Sequence, residues 1–413
     1  GDVKSLTIQT DFVEPLNKTQ KIEAGLRYSN RNYSSLNSNF IMAPDGNYYV
    51  LPGLGSEYKF TDEVYAAYGT FSHQIDKFSY QTGLRLESSK YNGNYISKNS
   101  KFSNSYPFSL FPSLFMTYKL TNKQDLQMNY SRKINRPNFF QLIPFIDYSD
   151  SLNLSVGNPD LIPEFTNLVE IGYSNQYKPG NSIFINLYGK NTNDLITRYQ
   201  YRDANPNPAK FDSLLFSTYA NANSSYSIGL ELTGKNKISK WWEVTSNVNF
   251  YNATIKAGNL PGTSDNSQFS WFAKLNNSFK LPKEYSIQLT GDYQSKSLIP
   301  AGGGGRMFYG SPQTTAQGYI KPSYGADISI RKNFMKNNAG SLTLSVSDIF
   351  LSRTSSSFAS SDFFIQDNER IRKGQIFRLN FSWRFGKFDA SLFKRKNIKG
   401  DMENMQNLQN QGQ

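Results

Sequence analysis

The chain has 413 residues, of which 15% are aromatic, with no Cys, a single His and a net charge of +13. The lack of Cys excludes a disulfide scaffold and thiolate chemistry, and one histidine, His73, argues against a Ser–His–Asp site or a multi-histidine metal site. The basic residues are scattered, so nucleic acid is not predicted as a partner. Abundant Tyr, Phe, Asn and Ser favours strands and turns.

Along the chain, apolar and polar residues alternate with a period of two. The segments that show it are KIEAGLRYS (21–29), FSYQTGLRLE (78–87), DLQMNYS (125–131), YSIQLTG (285–291), YGADISIR (324–331) and FRLNFSWRF (377–385). Such alternation predicts strands with one apolar and one polar face. The apolar face is rich in Tyr, Phe and Trp near strand ends, which is typical of a lipid-facing band with aromatic girdles around a polar interior. The sequence therefore predicts an all-β, antiparallel transmembrane β-barrel.

The connections between these strands alternate in length. Short links are predicted at 15–20, 73–77, 120–124, 177–181, 234–240, 281–284 and 333–340, and long ones at 30–60, 90–106, 134–163, 199–212, 255–267 and 297–316. This matches the short periplasmic turns and long outer loops of outer-membrane barrels. Each of the seven short links joins a pair of strands, and the first of these strands is predicted at 4–13. A last, unpaired strand is predicted at 376–386. The prediction is therefore about 15 strands.

An odd strand number is unusual, because single-chain bacterial barrels have even counts. Transporters with 22 strands have a plugged lumen, so we expect the C-terminal portion of such a barrel, without its plug. Residues 1–388 are assigned to the barrel. Residues 389–413 are polar and rich in Asn and Gln, and they are predicted to form a disordered periplasmic tail.

One loop carries a more specific pattern. Residues 131–174 contain SRKINRPNFFQLIPF followed by GNPDLIPEFTNLVEIGYS. This resembles the signature of TonB-dependent outer-membrane receptors, especially the Bacteroidetes-type outer-membrane β-barrel family, and the tail WRFGKFDASLFKRK is similar too. The residues that match the family's loop motif are Gly157, Asn158, Pro159, Pro163 and Glu164, whereas Ile162 stands where lysine is frequent. Two prolines stiffen this loop, and a structural role at the barrel mouth is predicted.

The resemblance implies a function. It implies energised uptake of a nutrient (a siderophore, cobalamin, a glycan or a peptide) across the outer membrane of a Gram-negative bacterium. The implied partners are outer-membrane lipid, the TonB–ExbB–ExbD complex acting through an N-terminal plug, and a surface lipoprotein as a further candidate. No cofactor and no enzymatic activity are implied. The alternatives are a passive channel or structural barrel and a soluble β-rich glycan-binding or adhesin module.

Candidate site residues come from two groups. The first group consists of arginines assigned to the polar strand faces: Arg27, Arg85, Arg132, Arg198, Arg331, Arg378 and Arg384. They either attract a polar or anionic solute or form a network in the lumen with acidic residues. The network is the preferred interpretation, and its acidic members would be Glu23, Glu87, Glu170 and Asp327. Loop aromatics form either a ligand-stacking surface or loop core. The combined ligand-binding candidates are Arg27, Arg85, Arg132, Tyr48, Phe139, Phe140, Tyr148 and Tyr309.

Overall fold

The computed structural model describes most of residues 1–385. The described residues are those outside 39, 51–54, 145, 148–152, 206–212, 261–264, 299–317, 361, 363–364, 372–373 and 386–413. The predicted tail at 389–413 thus lies outside the described residues. Nowhere in the described part does a helix have the length and apolar character needed to cross a bilayer.

Strands dominate the described chain, and the α-helix it contains, α1, is Phe139–Leu142. Two 3-10 turns lie at Ile96–Lys98 and Lys336–Asn338. In chain order the strands are β1 Asp2–Pro15, β2 Gln20–Asn37, β3 Phe40–Met42, β4 Tyr48–Val50, β5 Ser56–Ile75, β6 Phe78–Tyr95, β7 Ser100–Thr121, β8 Gln124–Asn135, β9 Ile146–Asp147, β10 Asn153–Val156, β11 Glu164–Lys178, β12 Asn181–Ala204, β13 Ser213–Lys237, β14 Trp242–Lys256, β15 Asn266–Leu281, β16 Tyr285–Gln294, β17 Ser297–Leu298, β18 Gly318–Ile320, β19 Ser323–Phe334, β20 Gly340–Ser347, β21 Thr354–Ser360, β22 Ile365–Ile371 and β23 Ile376–Trp383.

The main sheet has 17 strands, of which β9 and β10 are short segments within the β8–β11 connection. The other 17 − 2 = 15 strands form an antiparallel meander in which each pairs with the next long strand along the chain. The predicted 15 strands and seven tight turns are confirmed. Among the described residues, β1 pairs only with β2 and β23 only with β20, so both sheet edges are open.

The predicted faces are confirmed as well. In β6, Leu84 and Leu86 are exposed, whereas Arg85 is half-buried and Glu87 is buried on the opposite face. In the edge strand β23, Phe377, Leu379, Phe381 and Trp383 share one face. Aromatic residues mark two levels on the apolar, outward face: Trp242 stacks on Phe279 near the short turns, and Phe250 packs against Trp271 eight residues further along β14. Eight residues span about 26 Å of strand, which suits an apolar band between two girdles.

Several strands are longer than predicted. The predicted long loop at 90–106 is wrong, because β6 and β7 continue through it and are joined only by residues 96–99. The predicted loop at 30–60 likewise shrinks to the segment between Asn37 and Ser56. A membrane span needs about 9–11 residues of each strand, so the upper parts of these strands stand in water. In water the strands are held by backbone hydrogen bonds and do not need an apolar face. Their Asn- and Ser-rich composition was therefore taken for that of a loop.

Candidate functional site

The β8–β11 connection packs against the inward face at the upper end of the sheet. Phe60 of β5 and Tyr91 of β6 lie on that face, since they have the parity opposite to the exposed Tyr65 and Leu86. These two residues form one buried cluster with Leu142 and Leu161 of the connection and Ile196 of β12. The described part of the connection is thus a folded cap with its own apolar core, and this cap (residues 136–163 without 145 and 148–152) lies over the inner wall.

The Gly157–Glu164 motif holds the cap by its backbone. The Gly157 N–H donates to the Ile143 carbonyl (2.9 Å), and the Asn158 N–H donates to that of Gln141 (2.7 Å). The side chain of Asn158 also donates to the Tyr219 carbonyl of β13 (2.9 Å). Because backbone groups buried away from water need partners, these bonds explain how a short segment fixes Gln141 and Ile143 of the cap against β13.

The same segment is attached to two further strands. From β7, the Asn104 side chain donates to the Pro159 carbonyl (2.5 Å) and the Tyr106 hydroxyl donates to the Leu161 carbonyl (2.9 Å). From β13, Asn221 exchanges two hydrogen bonds with the backbone of Ile162, at 3.0 and 2.9 Å. The motif therefore clamps β7 to β13 across the intervening strands.

Glu164 ends the motif and begins β11. Glu164 is 9% exposed, and its carboxylate accepts from the Asn135 side chain (2.7 Å) and from the Ile196 N–H (2.6 Å). Burial raises the pKa of Glu164, and these two hydrogen bonds act in the opposite direction. The residue joins β8, β11 and β12 above the membrane-spanning part of the sheet.

Substitutions at Glu164 separate its hydrogen bonds from its charge. Glu164→Ala leaves the Ile196 N–H without an acceptor, and we expect a loss of about 1–3 kcal/mol in the free energy of unfolding. Glu164→Gln keeps that acceptor, and its amide can donate to the Asn135 side-chain oxygen once that group turns. We expect this variant to be as stable as the wild type or more stable at pH 7. Urea unfolding of the full-length protein in detergent measures both.

The pH dependence follows from the raised pKa. A folded state that holds its proton more tightly than the unfolded chain loses stability when the group ionises. The loss of stability caused by ionisation of Glu164 is absent below the ordinary glutamate pKa. It is complete above the raised pKa of the folded state. Relative to Glu164→Gln, wild-type stability should therefore fall as the pH rises through that window. A constant difference between the two proteins across the window would contradict this role for the charge.

The predicted arginines differ in position. Arg27 and Arg85 lie on the inward face, and Arg331, Arg378 and Arg384 share that orientation by parity. Arg198 lies 5.5 Å from the centroid of the Tyr219 ring. Arg132 lies on the outward face, because it has the parity of the exposed Leu126 and Met128, and it sits 4.8 Å from the centroid of the Phe165 ring. Its predicted inward position is wrong.

A network of charges exists on the inward face, and its members differ in part from the predicted ones. Glu87 pairs with Arg85 (2.5 Å) as expected and also with Arg136, the first residue of the cap. By contrast, Glu23 pairs with Lys21 (2.7 Å), and Glu170 accepts from the Asn186 side chain (3.4 Å). The Arg136–Glu87 pair ties the start of the cap to the wall of β6.

The basic partner of Asp327 is an arginine that was not predicted from the sequence. Arg353, in the β20–β21 connection, donates to both carboxylate oxygens of Asp327 (2.7 and 3.1 Å) and also binds Asp292. The two aspartates lie on neighbouring strands, β16 and β19. Arg353 lies in a loop, 26 residues from Asp327 along the chain. The alternation of apolar and polar residues applies only to strands, so it could not predict this contact.

The aromatic candidates fall into two places. Phe139 packs into the cap core, with its ring centroid 4.6 Å from that of Tyr33 and 4.7 Å from that of Tyr58. Phe140 is its neighbour and is 53% exposed. Tyr48 is 70% exposed on the separate hairpin of β3 and β4. Tyr148 and Tyr309 lie outside the described residues, and within them no group of three or more His, Asp or Glu residues could hold a metal ion.

Comparisons with known proteins agree with this architecture. The model of the outer membrane protein beta-barrel family matches residues 1–383. The fold resembles those of the ferric citrate transporter FecA in its unliganded form (TM-score 0.62, 16% identity, 93% of this chain and 54% of FecA) and the copper transporter OprC (0.64, 10%, 93% and 57%). It also resembles that of the ferric-catecholate import receptor Fiu from E. coli K12 (0.62, 16%, 93% and 55%). The chain spans about half the length of these proteins, and no curated protein sequence matches it.

Proposed function

The chain belongs to the outer membrane protein β-barrel family, and from this premise we propose that it forms most of the barrel wall of a TonB-dependent transporter importing a nutrient. It is a protein of the Gram-negative outer membrane. We assign it to the Bacteroidetes-type branch because of its GNPDLIPE loop. Residues 1–388 form the barrel portion and 389–413 a periplasmic tail in this proposal.

The open edges of the sheet carry the proposal. An unpaired strand edge in hydrocarbon leaves N–H and C=O groups without partners, at a cost of several kcal/mol for each group. β1 and β23 therefore need further strands in the membrane. Seven more strands would give 15 + 7 = 22, the number of the plugged outer-membrane transporters. The similar solved structures are about twice as long as this chain, which supports the same completion.

In the complete protein, an N-terminal plug would close the lumen and couple it to the TonB–ExbB–ExbD complex. The substrate is a nutrient too large for passive pores, in the class of metal chelates, cobalamin, glycans or peptides. Selection would take place at the cap and the neighbouring outer loops, where Phe140 and Tyr48 expose their rings. A surface lipoprotein is a further candidate partner above the cap.

Uptake by cells tests the proposal. Cells that produce the full-length protein and cells that lack it are given radiolabelled ferric chelates, cobalamin, oligosaccharides and peptides, with and without a protonophore. We expect saturable, protein-dependent uptake of one class that the protonophore abolishes. Protonophore-resistant uptake, together with steady ion conductance in planar bilayers, would instead identify a passive channel.

Phe140 offers a sharper test of ligand selection at the cap. Its exposed ring can stack on a substrate, and an aromatic contact contributes about 0.5–1.5 kcal/mol beyond the buried area. We expect Phe140→Ala to raise the substrate concentration for half-maximal uptake by about two- to tenfold. Phe269→Ala is the matched control, because Phe269 is 58% exposed on the outward face of β15. Equal effects of both substitutions would contradict a role of Phe140 in binding.

A further inference from the structure

Positive charge is concentrated at the end of the sheet that carries the short turns. The seven short connections, with two strand residues on each side, contain ten Lys, no Arg and five acidic residues, so 10 − 5 = +5. The six outer connections between long strands and the β20–β23 connection, counted in the same way, contain 12 basic and 13 acidic residues, so 12 − 13 = −1. The longer outer segments are thus nearly neutral, whereas the short turns are basic.

The lysines are spread over the whole end. Each of the seven short connections, with its flanks, contributes at least one; they are Lys18, Lys21, Lys77, Lys123, Lys178, Lys237, Lys240, Lys280, Lys283 and Lys336. We call this set the turn rim. Lys240, Lys283 and Lys336 are exposed, and in the described part of the chain they have no ion pair.

The turn rim lies directly beside the lower aromatic girdle. Trp241, next to Lys240, is 52% exposed and stacks on Trp242. Lys332 has the outward parity of Ile330, and its ammonium lies 4.2 Å from the centroid of the Tyr285 ring and donates to the Lys283 carbonyl. A lysine that faces lipid near the strand end directs its ammonium to the headgroup level. The rim is therefore at the height of the lipid headgroups.

We propose that the turn rim binds the anionic phospholipid headgroups of the periplasmic leaflet. A protein partner would dock on one arc, but these lysines follow the sheet through all seven turns, as a lipid annulus does. Lys and Arg near an anionic surface attract its phosphates, and neighbouring Trp and Tyr rings anchor the interface. This inference depends on the outer-membrane location and not on the proposed transport.

Native mass spectrometry of the full-length protein tests the inference. The protein is released from nanodiscs with equal amounts of phosphatidylglycerol and phosphatidylethanolamine, and the ratio of retained lipids is measured. We expect the wild type to retain phosphatidylglycerol preferentially. We expect the triple substitution Lys240→Gln, Lys283→Gln and Lys336→Gln to lower this preference by about tenfold or more, since each lysine at an anionic surface contributes about fivefold.

The matched control carries the same change at the outer end: Lys59→Gln, Lys101→Gln and Lys133→Gln, all exposed lysines of β5, β7 and β8. This control should keep the wild-type preference. An equal loss in both triple variants would show a general charge effect and overturn the proposal. It would also be overturned if the wild type showed no preference for phosphatidylglycerol or if the rim variant kept it.

Discussion

A methyl group added at Gly157 is expected to unseat the cap. A Cβ atom at this position would lie 2.7 Å from the Ile143 nitrogen and 2.9 Å from the Gln141 oxygen, and closer still to the Ile143 oxygen. All three are backbone atoms held by hydrogen bonds: the Ile143 and Gln141 oxygens accept from the Gly157 and Asn158 N–H groups, and the Ile143 N–H donates to the Phe139 carbonyl. They therefore cannot move away without breaking those bonds. We expect Gly157→Ala to cost about 3 kcal/mol, at the upper end of overpacking effects.

The matched control for this substitution is Gly189→Ala. Gly189 lies in β12, and a Cβ atom there would meet nothing within 4 Å. We expect a change within about 0.5 kcal/mol. Urea unfolding of the two full-length variants in detergent, with hydrogen exchange of the cap followed in parallel, provides the comparison. If Gly157→Ala unfolded at the same urea concentration as Gly189→Ala, the cap would not depend on this close approach.

The strand pattern was predictable because the membrane imposes it. A lipid-facing Lys or Arg at mid-bilayer costs about 2–4 kcal/mol, so the outward positions of β23 and β6 are almost purely apolar and the period of two is easy to see. The same constraint fixes the number of long strands, since each crossing needs its own apolar row. The short turns were found for a related reason: Pro, Gly and Asn mark the chain reversals.

The sequence was less informative above the membrane. Arg132 follows Leu126 and Met128 at even spacing, yet it was assigned to the polar face by residue type alone. The parity that Arg132 shares with the exposed Leu126 and Met128 places it instead on the outward face. Residue type therefore indicates the face of a strand only where that strand contacts lipid. Further along the strand, the face has to be assigned by counting alternate residues from the lipid-facing part.

Pairings between a loop and a wall were the least predictable. Asp327 was expected to meet an arginine of a neighbouring strand, but Arg353 reaches it from the β20–β21 connection. The motif loop was recognised from residues 157–164, whereas its attachment to Asn104 and Asn221 was not, since those residues lie 55 and 59 positions from their partners. Contacts of this kind are set by tertiary folding and leave no local period in the sequence.

Leu161 should show how strongly the apolar core of the cap contributes. Its side chain is fully buried, at 0% exposure, in the cluster with Phe60, Tyr91, Leu142 and Ile196. Leu161→Ala removes three carbon atoms from this cluster, and comparable buried substitutions cost about 2–5 kcal/mol. The cap should then open before the sheet does, so we expect faster hydrogen exchange and earlier protease cleavage within residues 136–163.

The adjacent residue provides the control within the same loop. Ile162 is 42% exposed, and its backbone bonds to Asn221 do not depend on its side chain. We therefore expect Ile162→Ala to leave exchange and cleavage of the cap within about twofold of the wild type, in keeping with the small effects of surface substitutions. Similar behaviour of the two variants would mean that hydrogen bonds alone hold the cap. A difference confined to Leu161→Ala would mean that burial of this one side chain holds the cap against the inner wall.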